Sequence, residues 1–136
     1  MRALIFGSLA LFFVVFGAAR AEDAPDAKAI IASQLDAFAH DDAKAAFDFA
    51  APPIQERFST PEAFLEMVKT VYPPVYRHRS VQFGDKTREG DKIEQSVVFV
   101  DADNIVWGGV YTLRRQSDGG WKIEGCVIAR SKQTSL

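Results

Sequence analysis

Hydrophobic and polar positions alternate in the C-terminal part of the chain, between Lys92 and Arg130. Three runs rich in Val, Ile, Phe, Tyr and Trp cover residues 92–100, 105–115 and 121–130, and polar segments rich in Asp, Asn and Gly separate them. Asp-Gly between two such runs is a strong short-range signal for a β-hairpin. The pattern therefore predicts three consecutive antiparallel strands.

The preceding segments carry apolar residues at helical spacing. Residues 23–26 open the first predicted helix. One position breaks its apolar pattern, because the polar Gln34 lies between Ile30 and Phe38 on the helical wheel. A neutral polar side chain there either hydrogen-bonds to backbone in the core, which we favour, or contacts a ligand. The apolar stripe of this helix comprises Ala27, Ile30, Ile31, Leu35 and Phe38.

Prolines and a threonine mark the predicted ends of the other helices. Asp41-Asp42 ends the first helix and caps a second over residues 43–50, which Pro52-Pro53 stops because neither proline donates a backbone hydrogen bond. Residues 54–58 then form a short turn of helix at most. Thr60-Pro61 starts the last helix, with Thr60 as N-cap and Pro61 in the first helical position. Its buried stripe is predicted to comprise Phe64, Leu65, Val68, Val71 and Tyr72.

A fourth strand is predicted between the helices and the hairpins. Pro73-Pro74 ends the helical part, and an extended segment follows over residues 75–86. Arg77 and Arg79 share one side of it with apolar residues, which indicates a bulge, an edge position or a functional opening.

The middle strand of the sheet has two unusual features. Gly108-Gly109 stands in its interior, where glycines usually mark a bend, a bulge or a close approach, and we expect a bend. Apolar residues also occupy both faces of this strand and the next, unlike a sheet with one solvated face. We therefore expect helices to cover one face and a second copy of the protein to cover part of the other, giving a homodimer through the sheet.

The order of these elements predicts an α+β fold, with N-terminal helices packed on a curved four-stranded antiparallel sheet. This order resembles the nuclear-transport-factor-like, ketosteroid-isomerase-like superfamily (cystatin-like α+β), whose sheet curls into a cone around the first long helix. Four segments carry a closer resemblance to a family of exported bacterial domains of unknown function in that superfamily: 34–38, 53–58, 72–77 and 121–126. The resemblance implies the fold, export and a dimer, but no activity and no catalytic positions.

The first 21 residues have the pattern of a signal peptide. Arg2 precedes an apolar run over residues 3–16, and Ala19-Arg20-Ala21 matches the small-residue site that signal peptidase recognises. The run is shorter than the roughly 17–25 residues that span a bilayer. We expect cleavage between Ala21 and Glu22 and a periplasmic or secreted protein without a membrane anchor.

Cleavage would leave one domain over residues 22–130, followed by a frayed tail over 131–136. The remaining chain has 14 basic and 18 acidic side chains, a net charge of −4 that gives no support for nucleic-acid binding. Cys126 is the only cysteine, so an intrachain disulfide is excluded. His40 and His78 are the only histidines and phosphate-binding glycine motifs are absent, so we expect no metal and no cofactor.

The chemically richest segment comprises Tyr76, Arg77, His78 and Arg79. Its arginines can receive an anionic ligand while Tyr76 or His78 donates or shuttles a proton. The alternative is a solvated edge strand whose arginines prevent pairing with another sheet. Strand aromatics line a pocket or belong to the core, whereas Cys126 is expected to be a small buried apolar residue. The ligand-binding candidates are Gln34, Tyr76, Arg77, His78, Arg79, Trp107 and Tyr111.

Two functions from different classes follow. One is a non-catalytic exported module that binds a small apolar or anionic ligand, or a protein partner, through the cone or the outer sheet face. The other is a cofactor-independent isomerase, dehydratase or hydrolase with an acid–base group in the cone. His78, Asp36 and Tyr76 are the available acid–base groups, but Asp36 points outward on the helical wheel, which leaves no convincing pair. We favour binding.

Overall fold

A computed structural model describes residues 26–132 of the chain. Within these residues, five helices precede a sheet of four strands. The predicted α+β class, with helices on a four-stranded antiparallel sheet, is confirmed. The elements are α1 (Ala27–Ala39), α2 (Ala43–Asp48), α3 (Pro52–Phe58), α4 (Pro61–Val71), α5 (Pro73–Tyr76), β1 (Ser80–Glu89), β2 (Lys92–Val100), β3 (Val106–Arg115) and β4 (Trp121–Arg130).

Side-chain caps begin three of the helices. The side-chain oxygens of Asp26, Asp42 and Thr60 each accept a hydrogen bond from the backbone N–H three residues further on, at 3.3, 3.1 and 3.2 Å. Such a cap satisfies one of the N–H groups that a helix N-terminus leaves without an intrahelical partner. The predicted starts of α1, α2 and α4 are confirmed.

The two proline pairs begin helices, and this corrects two predictions. Pro52-Pro53 opens α3, a complete short helix where at most a turn was expected, and Pro73-Pro74 opens α5. The missing N–H of proline costs nothing in the first turn, where no intrahelical acceptor exists. The extended segment consequently begins at Ser80 instead of Val75.

One residue of the predicted α4 stripe is exposed. Phe64, Leu65 and Val68 are buried, as predicted, but the side chain of Val71 is 60% exposed and Tyr72 is half-buried. Val71 is the last residue of α4, where the helix passes beyond its buried contacts. The prediction of a buried Val71 is therefore wrong.

The strands follow one another in the order β1-β2-β3-β4, each antiparallel to its neighbour. Register shifts occur in β1 between Phe83 and Lys86 and in the β3–β4 pair at Thr112 and Leu113. Bulges of this kind bend a strand and increase its twist. The amide of the fully buried Gln95 lies at the first shift, where it donates to the Gly84 carbonyl oxygen at 2.9 Å.

In the glycine pair of β3, Gly109 permits close packing, whereas a Cβ atom at Gly108 would have only the Ser131 hydroxyl oxygen at 3.9 Å. The register passes unbroken through Gly108 and Gly109, and the bulge lies further along the strand. A Cβ atom at Gly109 would lie 3.0 Å from Ile128 Cγ2 and 3.1 Å from Val97 Cγ2. Gly109 therefore provides room for its cross-strand neighbours on the inner face, and the bulge of the β3–β4 pair lies at Thr112 and Leu113.

One face of the sheet packs on the helices and forms the core. Every second residue of β2 and β3 contributes to this face, and buried positions accordingly alternate with more exposed ones along β2. Backbone hydrogen bonds between the N–H of Ala51 and the oxygen of Ile123, and between the N–H of Ile123 and the oxygen of Phe49, attach the helical layer to β4. The buried core side chains include Ile31, Leu35, Phe38, Phe64, Val68, Ile93, Val97, Phe99, Tyr111, Leu113 and Ile123.

The predicted signal peptide, with its cleavage site between Ala21 and Glu22, lies outside the described residues, as do the last four residues of the predicted tail. Among residues 26–132, no helix combines the length and the apolar character needed to cross a bilayer.

Candidate functional site: an apolar cavity between the helices and the sheet

A cavity of about 320 Å³ lies between α3, α4 and α5 on one side and β3 and β4 on the other. The ring of Phe64 anchors its wall, with centroids 5.9 Å from Phe38 and 5.7 Å from Phe58. The exposed residues Arg57 and Val71 lie at its mouth. Its apolar lining is completed by Ile54, Met67, Val68, Tyr72, Val75 and Ile123.

Tyr111 lines this cavity and carries a buried hydroxyl group. The residue is 1% exposed, and its hydroxyl has no oxygen or nitrogen partner, the neighbouring group being the weakly hydrogen-bonding thiol of Cys126. A buried polar group without a partner costs about 1–3 kcal/mol. Its burial, reinforced by the neighbouring Cys126 thiol, raises the pKa of Tyr111 well above its usual value, so the hydroxyl keeps its proton at neutral pH.

Cys126 faces Tyr111 across the β3–β4 pair and lines the same cavity. Burial raises the pKa of the Cys126 thiol to about 12, although the adjacent Tyr111 hydroxyl acts in the opposite direction. A thiol reacts as its thiolate, so this shift disfavours reaction of Cys126 at neutral pH. It is half-buried rather than fully buried as expected, because one side of it lines the cavity.

Gln34 brings a second neutral polar group to the cavity. It is 3% exposed, and its Nε2 donates to the Ala46 carbonyl oxygen at 3.1 Å. The favoured interpretation of this residue, a core amide bound to backbone, is therefore confirmed. Gln34 also lines the cavity, and among the hydrogen bonds of residues 26–132 its amide oxygen has no partner.

Two charged groups border the cavity, and they differ in their pairing. Glu124 Oε2 accepts from Arg114 Nε at 2.7 Å. Arg57, in the last turn of α3, has its guanidinium carbon 5.6 Å from the centroid of the Phe58 ring. Within the described part of the chain, no carboxylate lies within 4.0 Å of Arg57.

Tyr76 and Arg77 lie outside the cavity, where their hydrogen bonds connect α5 and the residue after it to the α1–α2 junction. The Tyr76 hydroxyl donates to Asp41, and Arg77 donates to the Phe38 carbonyl oxygen at 2.7 Å and to Asp41 Oδ2 at 3.4 Å. The Tyr76 hydrogen bond, together with the charges of Lys69 and Arg77, holds the pKa of Asp41 below its usual value despite an opposing loss of solvation. We call these four residues, Asp41, Lys69, Tyr76 and Arg77, the Asp41 cluster.

His78 and Arg79 also bind within the protein. His78 Nδ1 lies 3.0 Å from the Pro74 carbonyl oxygen, and its ring centroid is 5.1 Å from that of Phe99. Arg79 donates to Asn104 Oδ1 at 3.0 Å. Both side chains therefore have intramolecular partners away from the cavity lining.

Trp107 organises the connection between β2 and β3. Its Nε1 donates to Asp101 Oδ2 at 2.9 Å, while Asp101 Oδ1 accepts from the backbone N–H groups of Asp103 and Ile105. These hydrogen bonds, with that of Trp107 the largest contribution, lower the pKa of Asp101. Of the seven ligand-binding candidates, the structure thus brings together only Gln34 and Tyr111 at the cavity.

Two residues of the site, Arg57 and Cys126, were not among the sequence candidates. Arg57 belongs to a helix that the proline pair concealed. Cys126 meets Tyr111 only through the β3–β4 register, which a bulge shifts. The usable signal was the i, i+4 spacing of Ile54 and Phe58, which places two apolar residues on one face of a helix.

Comparison with known proteins identifies a family. A family model described as Domain of unknown function (DUF4864) matches residues 20–136. The chain belongs to this family. The match confirms the resemblance to domains of unknown function that residues 34–38 and 72–77 carry. No curated protein matches the DUF4864 chain.

A solved structure is also similar to this DUF4864 domain. It is the crystal structure of an NTF-2-like protein of unknown function from Silicibacter pomeroyi DSS-3, with 14% sequence identity and a TM-score of 0.49. The similarity covers 76% of this chain and 92% of that chain. No argument about function follows from a likeness at this level.

Apart from Arg57 and Glu124 at its border, the DUF4864 cavity offers neutral groups in an apolar wall. Among residues 26–132, no cluster of His, Cys, Asp or Glu is arranged to hold a metal ion. In the same part of the chain, no Asp, Glu or His residue is buried. The site combines an apolar surface with the Tyr111 hydroxyl and the Gln34 amide, which is the composition of a small-ligand pocket.

Proposed function

We propose that this protein is an exported binding domain that holds a small, largely apolar ligand in the cavity between the helices and β3–β4. The observation that carries the proposal is the Tyr111 hydroxyl, which is buried in the wall of an apolar cavity and has no hydrogen-bond partner. A ligand oxygen or nitrogen beside it would complete its hydrogen bond and remove the cost of its burial.

The cavity volume limits the size of the ligand. A cavity of about 150 Å³ lined by apolar side chains binds benzene, so 320 Å³ suits about twice that number of atoms. This corresponds to roughly twelve non-hydrogen atoms, as in a bicyclic aromatic compound or a chain of about ten carbons. The aromatic lining favours the bicyclic shape.

The protonation of the cavity supports binding over catalysis. General acid–base chemistry needs a group that titrates near the working pH and reaches the substrate. The pKa of Cys126 is about 12 and that of Tyr111 is raised well above its usual value. The groups weighed for an enzyme, Asp36, Tyr76 and His78, do not line the cavity, which weakens the isomerase, dehydratase or hydrolase alternative.

The test uses 2-naphthol, a bicyclic compound with one hydroxyl group, and calorimetric titration. We expect binding to the wild-type protein and a loss of about 2- to 13-fold in affinity for Tyr111→Phe, the effect of one neutral hydrogen bond worth about 0.5–1.5 kcal/mol. Tyr76→Phe is the matched control, because it removes the same atom from the Asp41 cluster and should leave the affinity unchanged. No binding up to the solubility limit, or equal affinity in Tyr111→Phe, would overturn the proposal.

The export part of the proposal rests on Arg2, the apolar run over residues 3–16 and the Ala-x-Ala pattern that ends at Ala21. Expression of the full chain in a bacterial host, followed by N-terminal sequencing, tests it. We expect a periplasmic protein that begins at Glu22. A cytoplasmic protein that retains residues 1–21 would argue against export.

The outer face of the sheet supports a second proposal, a homodimer. Val98, Val110 and Val127 are 38%, 39% and 74% exposed on three neighbouring strands. Val110 pairs directly with Val127, and Val98 with Gly108. We call this set, Val98, Gly108, Val110 and Val127, the outer valine patch. Apolar patches on sheet faces commonly mark interaction sites, and we propose that a second copy covers this one by two-fold symmetry.

A further inference from the structure

We infer that the ligand is an amphipathic carboxylate whose apolar body fills the cavity and whose anionic group binds Arg57 at the mouth. The inference rests on the proposed binding function and adds to it the chemical class of the ligand. It is carried by the pairing of the charges that border the cavity.

Glu124 is already neutralised. Its carboxylate accepts a hydrogen bond of 2.7 Å from Arg114, and this hydrogen bond is the largest cause of the raised pKa of Arg114. A carboxylate held by a guanidinium has little attraction left for a further cation. Glu124 therefore neither recruits a basic ligand nor compensates Arg57.

Arg57 contributes the uncompensated charge of the site. Its side chain lines the cavity and is exposed to solvent. Its guanidinium group lies over the face of the Phe58 ring. Within residues 26–132, it forms no ion pair. A guanidinium presents five N–H donors in a planar fork that matches a carboxylate, so a ligand carboxylate at the mouth finds donors that the protein leaves unused.

The cavity then offers two different polar contacts along one ligand. Arg57 lies at the mouth and receives the anion. The buried hydroxyl of Tyr111, which is neutral, receives an uncharged oxygen or nitrogen. Most of the other residues that line the cavity are apolar. An aromatic hydroxy acid of bicyclic size satisfies both contacts, whereas a cationic group at the mouth would be repelled by Arg57.

The experiment compares 6-hydroxy-2-naphthoate with its uncharged analogue 6-(hydroxymethyl)-2-naphthol by calorimetric titration. For the wild-type protein, we expect the carboxylate to bind about fivefold more tightly, which is the strength of a partly exposed ion pair. Added salt should weaken the binding of the carboxylate alone. In Arg57→Gln, the two compounds should bind equally, at the affinity of the uncharged analogue.

Arg115→Gln is the matched control, because Arg115 is an exposed arginine that does not line the cavity. It should keep the fivefold preference. Equal binding of the two compounds to the wild-type protein, or an Arg57→Gln variant that keeps the preference, would overturn the inference and leave the binding function intact. Failure of both compounds to bind would overturn both.

Discussion

Tyr111 carries a polar atom into the least polar part of the molecule. Its position on β3 was predictable from strand alternation, but the pattern left open whether the side chain filled the core or lined a pocket. It does both, because the residue belongs to the buried core and also lines the cavity. The hydroxyl is buried without an oxygen or nitrogen partner in the protein, so we expect a bound ligand to change the contribution of this residue to stability.

Tyr111→Phe should therefore stabilise the ligand-free protein. Removing an unpartnered buried hydroxyl relieves a desolvation cost, and we expect the free energy of unfolding to rise by about 1 kcal/mol in urea denaturation. Tyr76→Phe, which removes a hydroxyl that donates to Asp41, should lower it. A lower stability of Tyr111→Phe would mean that its hydroxyl is already satisfied.

Cys126 should resist alkylation in the native protein. The thiolate is the reactive form, and a pKa of about 12 in place of 9.0 reduces its population about a thousandfold at neutral pH. We expect iodoacetamide to label the native protein about a thousandfold more slowly than the urea-unfolded chain. Comparable rates in the two states would show that the thiol is accessible and ionisable.

The same thiol should make stability depend on alkaline pH. Its pKa is higher in the folded state than the ordinary value of 9.0, so its contribution is complete below pH 9 and is lost as the pH rises toward 12. Over this range the free energy of unfolding should fall more steeply for the wild-type protein than for Cys126→Ala, by up to about 1.4 kcal/mol per pH unit. Urea denaturation at several pH values measures this difference, and parallel curves would contradict it.

Helix boundaries were predictable where a side-chain cap marks them and less so where prolines do. A cap oxygen and its N–H partner lie three residues apart, so the signal is local. A proline pair has two local readings, since it ends one helix and fits equally well in the first turn of the next. In the structure, both proline pairs stand in the first turn of the following helix. These helices are α3 and α5, which border the cavity.

Thr60→Ala tests the best-defined helix start. Thr60 Oγ1 accepts the N–H of Ala63 at 3.2 Å, and loss of such a cap lowers stability by about 0.5–2 kcal/mol. Thr70→Ala, in the same helix, is the control. The Thr70 hydroxyl bonds back to the carbonyl oxygen of Glu66, and its replacement in an exposed position should change the free energy of unfolding by less than about 0.5 kcal/mol. Equal effects of the two substitutions would contradict the assigned capping role.

At the scale of the whole molecule, the two faces of the sheet differ in their exposure to solvent. Its inner face is buried by the helices, and its outer face presents the outer valine patch. Apolar residues on both faces of the strands had already indicated this arrangement in the sequence. Which partner covers the outer face is a property of the assembly, and symmetry makes a second copy the simplest occupant.

Val127→Asp should convert the proposed dimer into a monomer. A carboxylate at the most exposed position of the outer valine patch would have to lose its hydration in an apolar interface, which is costly. Light scattering at micromolar concentration measures the mass. Val71→Asp is the matched control, because Val71 is 60% exposed at the cavity mouth and away from the sheet, and it should leave the mass unchanged. A wild-type protein of monomeric mass would overturn the dimer.

The sequence by itself determined the α+β class, the three C-terminal strands, the capped helix starts and the buried amide of Gln34. Each of these follows from contacts a few residues apart or from a period of 2 or 3.6, so the information is local. Only the tertiary structure decided the site. The segment 76–79 was the richest in chemistry, yet its members bind Asp41, Asn104 and backbone carbonyl oxygens away from the cavity. By contrast, Arg57, Tyr111 and Cys126 line one cavity through the placement of α3 and a bulge in the β3–β4 pair. A bulge of one residue changes which side chains face each other across a sheet, and the chain's local pattern does not carry that information.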